Sequence, residues 1–246
     1  MSLYGTELAA IHASGFEQRA EAGAATLLRS LIRWRRPVGQ IVELACGAGR
    51  SSERLTRAGW PVIGTDLSPA MIELAKTRAP NADFSVADML TYAVPKDAAA
   101  ITIFNEGLNY PSAEDIATAG GLSAIFTRWR EALQPGGILM FDLIGPGSGG
   151  EDGSYTTGRE GDGWSLVATI EEAVDHKTLT RTISCFMPVQ GDEYRRVREV
   201  HVVQLYRPET ILAALDEAGL NAEVLPGYEG APSKTGWYTF LARKPV

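Results

Sequence analysis

The spacing of apolar positions opens with a helix and then settles into strand–helix repeats. From about residue 15 to 34, GFEQRAEAGAATLLRSLIRW places Ala25, Leu28, Leu31 and Ile32 on one helical stripe. GQIVELAC follows as a short buried strand, and RSSERLTRAG as a helix ending at Gly59. WPVIGTDL is the next strand. SPAMIELAKTRAP is the next helix, with Ser68 as N-cap and Pro69 in the first turn. ADFSVADML, AAAITIFNEG and GGILMFDLIG supply three further strands, the last two separated by a helix around residues 115–133. Strands that alternate with helices imply a parallel sheet covered on both faces. The unbroken apolar runs ITIF and ILMF suit strands buried on both sides.

After Ile144 the period changes from helical to alternating. GPGSGGEDGSYTTGREGDG reads as a glycine-rich loop over residues 145–163. WSLVATIEEAV, TLTRTISCFMPV and YRRVREVHVVQLY then read as three antiparallel strands, with turns at Asp175–Lys177 and Gln190–Glu193. RPETILAALDEAG restores a helix, and AEVLPGY and GWYTFLARK close the sheet. The expected architecture is a doubly wound, mostly parallel seven-stranded α/β sheet with an inserted antiparallel β meander. Its parts are an N-terminal helical cap over 1–38, an α/β domain over 39–145 and 207–246, and an insert over 146–206.

Composition narrows what such a fold does. The 246 residues are 45% hydrophobic and 22% charged, as in an ordinary globular protein, with a formal net charge of -7. An acidic balance argues against nucleic-acid or anionic-membrane surfaces, which call for basic excess. Cys46 and Cys185 make no disulfide framework, and His12, His176 and His201 show no metal-ligand spacing. The opening MSLYGTELAAIHASG lacks the basic and apolar regions of a secretory signal. The expectation is a cytoplasmic protein without metal, nucleic-acid or membrane partners.

The first strand-to-helix turn carries the candidate chemistry. In an open α/β sheet this turn lies at the carboxyl edge, where ligands bind. Small residues at Ala45, Gly47, Ala48 and Gly49 let a ligand touch backbone, beside Glu43 and Cys46. Gly47-Ala48-Gly49 also begins a dinucleotide fingerprint, but its third glycine would fall at Ser52. A tight turn without a ligand is the plainer alternative. Asp66 ends the second strand, where an acid accepts both hydroxyls of an adenosine ribose. Asp88 ends the third strand, positioned to receive an adenine amino group. Acids at successive strand ends favour a nucleoside ligand.

VELACGAG, GTDLSPAMIELA, VADML and LQPGGILMFDL, in this order, resemble the class I S-adenosylmethionine-dependent methyltransferases of small-molecule type. The resemblance spans roughly residues 40–145 and resumes at the final helix and strands. It implies S-adenosylmethionine as cofactor and a small-molecule methyl acceptor. It also implies that Glu43, Ala45, Cys46, Gly47, Ala48 and Gly49 line the methionine and ribose, with Asp66, Leu67 and Met71 beyond them. Asp88 and Met89 would contact adenine, and Asn105 would lie beside the sulfonium. Ala45 departs from the glycine usually first in the motif. The fourth strand ends in FNEGLNYP rather than the Asn/Asp-Pro-Pro-aromatic segment of enzymes that methylate nucleic-acid bases or protein glutamine.

Methyl transfer is an in-line displacement that mainly needs placement and exclusion of water. The meander is the expected roof over the acceptor. Its third strand puts Arg195, Val197, Glu199 and His201 on one face and Arg196, Arg198 and Val200 on the other. His201 is a candidate base or a structural hydrogen-bonding group, and Glu106 a second candidate base or a loop organiser. The arginines either hold an acidic substrate or form a solvated face paired with Glu199 and Glu193. The N-terminal segment offers Tyr4, His12, Phe16 and Arg19 as a cover. Arg19 would meet the methionine carboxylate or stay a surface charge. Two other functions share these features: an NAD-dependent oxidoreductase, and a non-catalytic S-adenosylmethionine-binding protein.

Overall fold

The computed structural model describes residues 4–34, 39–190 and 193–246. The expected domain boundary at residue 38 and half of the turn at Gln190–Glu193 fall outside these residues. Helix α1 (Thr6–Gly15) and helix α2 (Gln18–Arg33) lead into strand β1 (Ile41–Leu44). Then come α3 (Arg50–Arg57), β2 (Val62–Asp66), α4 (Pro69–Arg78), β3 (Asp83–Val86) and β4 (Ala98–Ile103). A 3-10 turn at Gly107–Asn109 precedes α5 (Ala113–Thr118), α6 (Gly121–Ala132) and β5 (Leu133–Ile144). The insert holds β6 (Ser154–Gly161), β7 (Trp164–Glu172), β8 (Thr178–Pro188) and β9 (Tyr194–Gln204). Helix α7 (Pro208–Glu217), β10 (Asn221–Leu225), the short pair β11 (Gly227–Tyr228) and β12 (Ala231–Pro232), and β13 (Trp237–Arg243) complete the chain.

Seven strands form the main sheet in the order β10-β13-β5-β4-β1-β2-β3. The pairs β1–β2, β1–β4, β2–β3 and β4–β5 are parallel, while β13 runs antiparallel to both neighbours. The apolar run of β4 is buried along its whole length, as a central strand of a doubly covered sheet must be. On one face Phe126, Phe141 and Phe240 stack in series, at 5.7 and 5.1 Å between centroids. On the other, Leu27, Leu31, Phe104, Met140 and Leu241 pack beneath α2. Each such side chain contributes about 1.5–3 kcal/mol through burial.

Three expectations about the elements change. The helix expected over about 15–34 is α2, and a separate helix, α1, stands before it, so the cap is two helices. The helix expected over 115–133 is also two, interrupted where Gly120 and Gly121 adopt φ of 93° and 87°. The loop expected over 145–163 contains strand β6, which makes the insert a four-stranded sheet in the order β6-β7-β8-β9. All eight β6 residues are exposed. An edge strand with neither side in the core carries no apolar alternation, so periodicity does not reveal it. The inner face of the insert buries Leu166, Ile170, Leu179, Ile183 and Val203 against Leu8 and Ile11 of α1.

Candidate active site

A cavity lies over the carboxyl ends of β1, β2 and β4. Its floor is the loop after β1. Ala45 and Gly47 take left-handed backbone conformations, φ 54° and 56°, and a Cβ built on Gly47 would meet nothing within 4 Å. The backbone there is open to a ligand. Asp66 fastens this loop to the next one: Gly47 N–H donates to Oδ2 and Ser68 N–H to Oδ1, both at 2.9 Å. Each carboxylate oxygen keeps lone-pair capacity on the cavity side. Burial pushes the Asp66 carboxyl up, against the pull of these N–H groups.

Glu43, Ala45, Cys46, Gly47, Ala48, Asp66, Leu67, Met71, Met89 and Asn105 all line the cavity. Gly49 does not: its φ of 76° and the 3.0 Å approach of Ala75 to its Cβ position make it the packing point of α3 on α4. Asp88 also stays out of the lining, with Oδ1 accepting from Leu90 N–H at 2.9 Å. Glu43 is buried, and desolvation raises its carboxyl above the usual range. Ser52 Oγ donates to it, so the side chain at the missing third glycine is the partner of this acid.

Phe104, Gly107 and Tyr110 line the far end, and Tyr4 and His12 reach it from the N-terminal segment. This segment lies across the cavity as a strap held from two sides. Glu199 of β9 accepts from Tyr4 and Gly5 N–H at 3.0 Å each, and Ser68 Oγ donates to Tyr4 O at 2.8 Å. Arg78 of α4 donates to Glu17, to Ala48 O and to Ala13 O. Arg195 pairs with Glu7, and Arg159 donates to Gly15 O beneath the Phe16 ring. Arg195 is thus spent on the strap. Arg196 reaches Ser184 Oγ, not the expected glutamates.

Behind the far wall lies a polar cluster. The Tyr4 and Tyr110 hydroxyls are 2.8 Å apart, and His201 packs its ring against both. Burial raises both tyrosines, so they remain protonated at neutral pH. His201 is fully buried outside the lining, with Nε2 donating to Glu199 at 2.9 Å and Nδ1 unpartnered. Burial lowers its imidazole. Glu106 also stands outside the lining and pairs with Arg181 at 2.5 Å. His12 is in the lining; burial, assisted by the Arg181 charge, brings its imidazole down to about 4, and its Nδ1 has no partner. An orphaned buried nitrogen on a cavity wall invites a ligand partner.

Arg19 fits neither expectation. Its Nε donates to Asp142 Oδ2 at 3.1 Å, and its guanidinium lies over Tyr228 and Trp237. Asp142 is fully buried and also accepts from Tyr228 OH and Asn105 N–H, both at 2.9 Å. Sequence reasoning missed this acid and Tyr110. Asp142 had a visible signal, an acid near the end of the fifth strand as Asp66 ends the second. Tyr110 had none, since a tyrosine seven residues past the end of a strand is unremarkable until the chain folds back. Among the described residues no group of three or more His, Cys, Asp or Glu could hold a metal ion, and no helix is long and apolar enough to cross a membrane.

The geometry has counterparts. Residues 41–137 match the family model described as "Methyltransferase domain". Over 231 residues, 93% of this chain and 88% of the relative, the chain is 27% identical to dTDP-4-amino-2,3,4,6-tetradeoxy-D-glucose N,N-dimethyltransferase of Saccharopolyspora spinosa. A solved S-adenosylmethionine-dependent methyltransferase from Clostridium acetobutylicum shares the fold, with a TM-score of 0.80 at 18% identity over 98% of both chains. An amino pentose methyltransferase from Micromonospora echinaspora, solved with S-adenosylmethionine bound, superposes with a TM-score of 0.76 at 20% identity over 99% of both chains.

Proposed function

From the premise that this chain is a class I S-adenosylmethionine-dependent methyltransferase acting on a small molecule, we propose that its acceptor is the amino nitrogen of a sugar. One observation carries the reading. The likeness to the amino-sugar N,N-dimethyltransferase covers 93% of the chain, so it extends beyond the nucleoside floor into most of the strands of the inserted sheet. Those parts, rather than the widely shared nucleoside floor, meet the acceptor.

The residues present fit the cofactor. The open backbone at Gly47 and the two Asp66 oxygens suit a ribose, and Leu67, Ala87 and Met89 suit the adenine beside it. Asp88 and Gly49 are assigned no cofactor contact. When bound, S-adenosylmethionine supplies an electrophilic methyl group on its sulfur. Asn105, Gly107 and Tyr110 line the end where the sulfur would lie. Tyr4, Tyr110 and His12 then supply the polar atoms that orient an amine and its neighbouring hydroxyls. Burial disfavours an ammonium, so an amine enters as the neutral nucleophile after giving its proton to solvent. His201 and Glu106 support this wall from behind instead of transferring protons.

The test is mass spectrometry of the purified enzyme with S-adenosylmethionine and nucleotide-linked 3-amino and 4-amino deoxysugars, each beside its hydroxyl counterpart. The expected result is methylation of an amino sugar and none of the matching hydroxyl sugar. Methylation of the hydroxyl sugar at an equal or higher rate overturns the reading.

A further inference from the structure

Three separate parts of the chain converge on the turn from Asn105 to Tyr110. The parallel sheet holds its start, where Asp142 Oδ1 accepts from Asn105 N–H at 2.9 Å. The inserted sheet holds its middle, where Arg181 Nη2 of β8 donates to Glu106 Oε2 at 2.5 Å. The strap holds its end through the hydroxyl pair of Tyr110 and Tyr4. Asn109 adds a rivet: its Nδ2 reaches the carbonyls of Ile144 and Gln204, where the chain enters and leaves the insert, and its Oδ1 accepts from Ile144 N–H at 3.0 Å.

The turn needs such support. Asn105 and Glu106 have φ of 55° and 56°, a conformation that residues with side chains keep only when their surroundings impose it. Gly107 then packs against the loop after β1, leaving 2.9 Å between its Cβ position and the Ala45 Cβ. Arg181 is largely buried and pairs in register with His201. Neither Arg181 nor Glu106 lines the cavity, whereas Asn105, Gly107 and Tyr110 do. A charge pair one layer behind a wall acts on the wall's shape.

We propose that Arg181 is a positioning residue, through which the inserted sheet holds the Asn105–Tyr110 turn and the Tyr110 hydroxyl in the geometry for methyl transfer. This rests on the methyltransferase reading of the cavity and on no particular acceptor. Acceptor seated against the insert would thereby help complete the wall that faces the cofactor's methyl. The Arg181 field also reaches the Tyr4 hydroxyl, which places the strap under the same control.

The obvious single variant leaves a buried carboxylate unpaired and risks unfolding. The test therefore compares the wild type with R181K and with the charge-free double variant R181M/E106Q. Calorimetry with S-adenosylhomocysteine reads the cofactor site, and amide hydrogen exchange reads the local structure. In the double variant the dissociation constant stays within threefold, and protection across residues 41–66 is unchanged. Protection across 105–110 and at Tyr4 and Gly5 falls at least tenfold, and R181K restores part of it. With any acceptor the wild type methylates, kcat falls at least thirtyfold and KM less than threefold. Unchanged exchange in a folded double variant overturns the proposal, as does a loss of cofactor affinity equal to the loss of turnover. If the wild type methylates none of the amino sugars, the acceptor assignment fails, and the exchange data still decide the role of Arg181.

Discussion

Acidification should loosen the protein in part through His12. His12 titrates in the folded chain at about 4, against 6.5 for an unperturbed imidazole, because burial, assisted by the Arg181 charge, opposes its own charge. A histidine lowered by folding contributes stability that is complete above the unfolded value and is lost as pH falls below it. Between pH 7.5 and 5.0 the unfolded imidazole takes up its proton while the folded one stays mostly neutral. Linkage over that interval amounts to about 2 kcal/mol, at 1.36 kcal/mol per pKa unit. Guanidinium denaturation of the wild type and of His12→Gln at both pH values isolates this part, since the other titrating groups are shared and cancel. The wild type should lose about 2 kcal/mol more than the variant. An NMR titration with labelled histidine gives the pKa directly, His12→Gln assigning the resonance. Equal losses in both proteins, or a His12 pKa near 6.5, would refute the argument that the strap keeps this ring dry and neutral.

Three further outcomes are expected. Asp66→Asn should weaken S-adenosylhomocysteine binding at least tenfold in calorimetry with the fold intact, since each hydrogen bond to a charged acceptor contributes roughly 1.5–3 kcal/mol; unchanged affinity removes the ribose from this position. Asp142→Ala should destabilise by about 3–5 kcal/mol in denaturant titration, because Arg19 is left without its buried partner; a cost under about 1 kcal/mol would mean water replaces the carboxylate. Ala45→Gly should leave stability unchanged or raise it by up to about 1 kcal/mol, relieving the left-handed backbone at φ 54°; a clear loss would show that the methyl packs better than its backbone suffers.

Much of the sheet could be read directly from the chain, because strands buried on both faces must be mostly apolar, as β4 and the ILMF run of β5 are. Asp66, at the end of β2, was legible for a related reason. A carboxylate placed where backbone N–H groups converge, as Asp66 is, has few roles outside ligand or loop binding. What stayed hidden depends on tertiary approach. Arg19 looks like a surface charge on a helix until Asp142, far along the chain, comes beneath it. His201 alternates correctly onto the inner face, but only the strap's arrival decides that Tyr4 and Tyr110 stand between it and the cavity. Strand β6 lies outside every core and left no pattern to find.

The contact between Ala45 and Gly107 binds the histories of two distant segments together. With the Ile103 Cγ2 at 2.7 Å and the Ala45 Cβ at 2.9 Å from the place where a Gly107 Cβ would stand, the turn has no room for a side chain at position 107. An alanine in the first motif is therefore tolerated on condition that the later turn keeps its glycine. A side chain at position 107 needs space from two neighbours at once, the methyl of Ala45 and the Cγ2 of Ile103, so a change at position 45 alone does not make room for it.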